Sequence, residues 1–187
     1  MPRLLTAGFR VVAVDAPGHG VSEGNYTHVP DMAAALQAYL HQEGMPYAVV
    51  AHSLGGLVAG LAFHELGQVP EKCVFLGSSV CAHSVFETYF DQLRVPAPLR
   101  REFYDRFVAE TGYPLRLVDL RQYHDQWVQT RILPIYDEGD TVVPIHEPRA
   151  FWETQPTASP LWLTGAGHYG LLKNPRVMEA VVGFLAS

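Results

Sequence analysis

A repeated order of short apolar run, turn and helical segment constrains this chain more than any other feature of it. The runs cover residues 10–15 (RVVAVD), 47–51 (YAVVA), 72–76 (KCVFL), 132–136 (ILPIY) and 161–163 (LWL). Between them lie amphipathic stretches. Residues 30–43 put Met32, Leu36, Tyr39 and Leu40 on one face and stop at Gly44, and residues 54–66 align Leu57, Val58, Leu61 and Ala62. A last helix is expected over 175–185. Apolar strands alternating with such helices predict an α/β fold, with a mostly parallel sheet of about five strands flanked by helices. At 187 residues the chain is long enough for one domain with a real core and short for two, so 1–187 is expected to form a single unit.

Residues 80–130 interrupt the rhythm. They carry no clear strand but many aromatics, among them Phe86, Tyr89, Phe90, Phe103, Tyr104, Phe107, Tyr113, Tyr123 and Trp127. Helical spacing appears in LRREFYDRFVAE, residues 99–110. An insertion of this length between two strands is too long for a plain connection, which suggests a helical cap over a site. Its aromatics could equally fill the core.

Composition excludes several classes. A net charge of −6 with scattered Lys and Arg argues against a nucleic-acid partner. No apolar run approaches the ~20 residues of a membrane-spanning helix. Met1-Pro2-Arg3 opens no signal-peptide pattern, which sets the cytoplasm as the expected location. Cys73 and Cys81 are spaced neither as a zinc pair nor as a CxxC redox pair and read as free buried thiols. The nine histidines form no HxH or HExxH, so neither a metal nor a cofactor is expected.

Ala51-His52-Ser53-Leu54-Gly55 follows the second strand and opens the second helix. A sharp strand-to-helix turn of this kind exposes a serine hydroxyl and tolerates only small neighbours. The helix start offers free N–H groups and the positive end of its dipole at the same spot. A plain helix-capping serine is the structural alternative. A serine attacks only if a base takes its proton and an acid orients that base. Two later strand ends supply such residues, Asp140 in IYDEGDTVVP (135–144) and His168 in LWLTGAGHYGLL (161–172). Asp137 and Glu138 compete with Asp140 for the acid position; the spacing to Val-Val-Pro favours Asp140. His52 reads as packing or pocket lining.

VVAVDAPGHGVSEG (11–24), VVAHSLGG (49–56), PIYDEGDTVVP (134–144) and GAGHYGLLKNPRVMEAVVGFL (165–185) together resemble the corresponding loops of α/β-fold serine hydrolases. The resemblance covers most of the chain outside 80–130. It implies Ser53 as nucleophile, His168 as general base and acid, Asp140 as the residue holding the imidazole, and the Leu54 N–H as an oxyanion donor. It also implies a cap at 80–130 and a small-molecule acyl substrate, with His52, Phe86, Phe90 and Tyr169 expected at its pocket. Two departures stand out. Ala51 occupies the elbow position where glycine is usual. The family's three strands ahead of the VVAVDAPGHG strand, and the loop giving the second oxyanion donor, have no counterpart, so an N-terminally truncated version of the fold is expected. Residues 10–15 and 47–51 must then either pair directly or leave a gap. A catalytically impaired fragment, or a non-catalytic binding domain on the same fold, is the alternative to an active enzyme.

Overall fold

The computed structural model describes residues 2–187, apart from the side chain of His124. Its centre is a sheet of β1 (Ala48–His52), β2 (Lys72–Leu76), β3 (Arg131–Asp137) and β4 (Leu161–Leu163), in that order. All three pairings are parallel, with Val50 opposite Val74, Val74 opposite Leu133, and Ile135 opposite Leu161. Parallel strands need crossovers, and helices supply them: α3 (Gly55–Leu66) joins β1 to β2 and α6 (His146–Trp152) lies between β3 and β4, while α1 (Pro2–Thr6) and α2 (Val29–Glu43) precede β1 and α8 (Pro175–Ala186) follows β4.

Alternation along the strands sorts side chains into two cores. Cys73, Phe75, Ile132 and Tyr136 face one side, with Leu57, Leu61 and Phe63 of α3 and with Trp127 and Trp152. Val74, Leu76, Leu133 and Ile135 face the other, against Val177, Val181 and Leu185 of α8. The helix ends are specified locally. Asn174 accepts N–H bonds from Arg176 and Val177 at the start of α8, ahead of Pro175 in the first turn. At its other end the buried Lys72 ammonium donates to the Phe184 and Leu185 carbonyls at 3.1 and 3.3 Å, where a cation suits the helix dipole.

The expected strand over residues 10–15 does not form, so the sheet has four strands rather than five. Val12 and Val14 are about half exposed, at 50% and 49%. A β-branched run becomes a strand only when a ladder partner takes its backbone groups. Residues 10–15 pair with no strand, and the one neighbour of β1 in the sheet is β2. Direct pairing of these two segments is therefore not observed, and Val50 of β1 is left 42% exposed.

Residues 80–130 hold no strand of the sheet and consist mainly of α4 (Ala82–Gln92), α5 (Ala97–Thr111) and 3-10 turns at Leu115–Leu117 and Leu120–Gln129. The excursion leaves and returns at one neck, where Ala82 N–H meets the Val118 carbonyl and Leu120 N–H meets the Val80 carbonyl. Its aromatics divide there. Phe86, Phe90, Phe103, Tyr104 and Phe107 pack against one another between α4 and α5, and all but Phe90 also lie, partly buried, against the margin of the main core. Tyr123 and Trp127, beyond the neck, are buried in the main core, Trp127 edge-on to Phe63 and Phe75. Glu87 links the two helices, accepting from Tyr104 Oη at 2.6 Å and from Arg100 at 2.7 Å. Those bonds, Tyr104 first, hold the Glu87 carboxyl below its ordinary range.

Candidate active site

Ser53 stands between β1 and α3 with φ at +53°, a left-handed backbone uncommon for a residue with a Cβ. Such strain persists only where the surroundings impose it. Here Ser53 N–H is fixed to the Leu76 carbonyl of β2 at 3.0 Å, and the chain turns at once into α3. Gly56, just inside α3, lets that helix approach β2: a Cβ there would lie 2.5 Å from Ser78 Cβ. The backbone thus lifts the serine hydroxyl off the end of the sheet.

Two other strand ends bring their residues to the same place. Asp140 lies three residues past the end of β3, buried, and its Oδ1 accepts N–H bonds from Val142 and Val143 at 2.8 and 2.9 Å. His168 lies in α7 (Gly167–Gly170), just after β4, and is buried. Its Nδ1 is 2.7 Å from Asp140 Oδ2, and its Nε2 is 2.9 Å from Ser53 Oγ. A carboxylate cannot donate, so Nδ1 carries the proton and Nε2 is left to accept from the hydroxyl. The competing acids are occupied elsewhere. Asp137 accepts main-chain N–H bonds from Gly139 and Ala166, and Glu138 accepts from Arg149 at 2.6 Å.

His52 is next to this group. Its Nε2 donates to the His168 carbonyl at 3.2 Å, and the two rings are 4.8 Å apart. Burial holds the His52 imidazole below its ordinary value, more than the hydrogen bond to that carbonyl raises it. The folded value being below the unfolded one, the unfolded chain takes up the proton first as pH falls through roughly 6.5. The neutral ring therefore favours folding above that pH and loses this advantage below it. The melting temperature of the wild type is expected to fall more between about pH 7 and about pH 5.5 than that of His52→Gln, a comparison thermal denaturation reads directly.

Tyr169 sits edge-on to His168 at 5.0 Å and is 70% exposed, at the open side of the group. Leu54 follows Ser53 at the head of α3, where the first N–H groups have no partner within the helix. Ser53, Leu54, His52, Asp140, His168 and Tyr169 are thus brought together. Phe86 and Phe90 have Phe103 and each other as ring partners, in the α4–α5 pair. Sequence reading missed Gly77, which has φ +53° just after β2 and directly faces the His168–Asp140 pair. It also missed the use of Asp137 as a main-chain acceptor. Among the described residues no cluster of His, Cys, Asp or Glu could hold a metal ion.

In this chain these residues stand at the strand ends of a four-stranded parallel sheet. The model of the alpha/beta hydrolase family matches residues 1–181, and the chain belongs to that family. No curated protein matches it in sequence. Among solved structures, an esterase from Exiguobacterium antarcticum superposes with a TM-score of 0.73 at 19% identity, over 100% of this chain and 85% of that one. The monoacylglycerol lipase of Paleococcus ferrophilus gives 0.71 at 18% identity, over 98% and 86%. A bromoperoxidase from Bacillus anthracis gives 0.72 at 20% identity, over 100% and 85%. At these identities the likeness is one of fold. Among the described residues no helix is long and apolar enough to cross a membrane.

Proposed function

We propose that the protein is a serine hydrolase that cleaves a carboxylic ester or related acyl compound through an acyl-enzyme on Ser53. The observation that carries this reading is the chain of hydrogen bonds from Ser53 Oγ to His168 Nε2 and from His168 Nδ1 to Asp140 Oδ2. In the reaction His168 takes the Ser53 proton as Oγ attacks the acyl carbon, then gives it to the departing alcohol. Asp140 holds the imidazole in the required tautomer and stabilises the imidazolium. In the second half His168 takes a proton from water, whose oxygen bonds to the acyl carbon. The bond from that carbon to Ser53 Oγ then breaks, His168 returns the proton to Oγ, and the acid leaves. The Leu54 N–H, at the positive end of α3, is the donor assigned to the tetrahedral oxyanion. His52 and Tyr169 border the serine, and α4 with α5 is assigned as the cap over the acyl group, Phe86 and Phe90 giving it an apolar interior. The esterase and lipase among the structural neighbours are in keeping with this reading.

A fluorophosphonate reacts with a serine only where a base activates it. Labelling of the wild type, at Ser53 by peptide mapping and absent from Ser53→Ala, is the expected result. Equal labelling of the two proteins, or ester hydrolysis that persists in Ser53→Ala, overturns the assignment.

A further inference from the structure

The turn that carries His168 has few fixed points of its own. α7 is four residues long, and Gly165 and Gly167, on either side of Ala166, both have left-handed backbone with φ at 81° and 65°. Side chains from outside hold it. Ala166 N–H donates to Asp137 Oδ2 at 2.7 Å, and the His168 carbonyl accepts from His52 at 3.2 Å.

Asp137 is the last residue of β3 and is 1% exposed. Its second oxygen, Oδ1, accepts from Gly139 N–H at 2.9 Å, inside the turn that leads to Asp140. Beside it Glu138 N–H donates to the Leu163 carbonyl at 2.7 Å, tying the end of β3 to the end of β4. One buried carboxylate therefore joins the turn that presents Asp140 to the turn that presents His168. A carboxylate is kept in such a place only by strong donors, and N–H bonds to an ionised oxygen are roughly twice as strong as neutral ones.

We propose that Asp137 is a positioning residue, whose carboxylate holds the Asp140 and His168 turns in register and so sets the meeting of the two side chains. This rests on the reading of Ser53, His168 and Asp140 as the reacting group. Asp137 acts through main-chain N–H groups rather than through the side chains of those three. The sensitivity comes from geometry: a displacement of about 1 Å at reacting groups costs ~10²-fold in rate.

Asp137→Asn keeps the size of the side chain but turns one acceptor into an NH₂ donor, so one of the two turns loses its anchor. For an ester substrate kcat is expected to fall ~10–100-fold with KM within about twofold, and fluorophosphonate labelling to slow in proportion. Amide hydrogen exchange at Ala166 and His168 is expected to rise at least ~10-fold while β2 and β3 keep their protection. Ala166→Pro removes the same donor without touching β3; Ala166 has φ −84°, near the proline range, and the variant is expected to show the same loss of kcat. It provides the test if Asp137→Asn fails to fold. Unchanged exchange in Asp137→Asn overturns the proposal, as does a fall in melting temperature with kcat intact. So does a loss of kcat equal to that of Asp140→Asn, which makes Asp137 the acid itself. A wild type inert to esters and fluorophosphonate overturns the hydrolase reading, while exchange at Ala166 still decides the role of Asp137.

Discussion

Asp140→Asn is expected to fold normally and to lose ~10⁴-fold in kcat for ester hydrolysis. The two oxygens of Asp140 do different work. Oδ1 takes the Val142 and Val143 N–H groups, and Oδ2 takes His168 Nδ1. An asparagine oriented with its oxygen on those N–H groups preserves the turn. Its NH₂ then faces Nδ1 and can meet only a lone pair there, which forces the ring proton onto Nε2. Nε2 is the atom 2.9 Å from Ser53 Oγ, and once protonated it cannot accept the serine proton. The tautomer, rather than the geometry, is what the substitution spoils. Circular dichroism and the melting temperature are expected to stay close to wild type while saturating turnover collapses. An Asp140→Asn enzyme within tenfold of wild type sinks the assignment of the acid.

The elements that proved legible in the sequence are those whose own residues determine them. The segment KCVFL became β2, and LWL became β4, because continuous apolar runs are stable only when both faces are covered, and helices cover both here. RVVAVD has a comparable apolar, β-branched run between Arg10 and Asp15 and stayed out of the sheet. Its residues state what the segment could do; a ladder partner decides whether it does so, and residues 10–15 have none. The aromatics of residues 80–130 show the same limit. Phe103 and Trp127 are both among the aromatics of this stretch, yet Phe103 is partly buried among the α4–α5 rings at the margin of the main core and Trp127 is buried within it. The neck at Val80 and Leu120 divides them, and that pairing is not written into either segment alone.

In the site, Ser53, Asp140 and His168 were legible because each stands just beyond a strand end, and parallel strand ends converge. The group that surrounds them was not. That Asp137 accepts from Ala166 N–H, or that His52 donates to the His168 carbonyl, depends on how far apart two loops come to rest. Strand register sets that distance. The pairing of Leu76 with Ile135, continued by Gly77 N–H to the Ile135 carbonyl at 2.8 Å, puts a glycine under the imidazole.

That glycine carries the second large effect. A Cβ added at Gly77 would lie 3.1 Å from Leu171 Cδ1, 3.3 Å from His168 Nδ1 and 3.5 Å from Asp140 Oδ2. It would press on the hydrogen bond between the last two. The residue also has φ +53°, which for alanine costs about 1–2 kcal/mol. Gly77→Ala is therefore expected to lower the melting temperature by about 2–8 °C and kcat by ~10–100-fold, since a misplaced imidazole is a kinetic fault more than a binding one. Gly77→Val adds two methyl groups to the same buried space, and its overpacking of a further ~1–3 kcal/mol is expected to leave little folded protein. Backbone strain alone is separated by Gly67→Ala at the end of α3, where φ is 62° and an added Cβ meets nothing within 4 Å. That variant shares the conformational cost without the contact and is expected to keep wild-type kcat. If Gly77→Ala matches it in turnover, the space beneath His168 does not set the chemistry, and Gly77 is there for the turn alone.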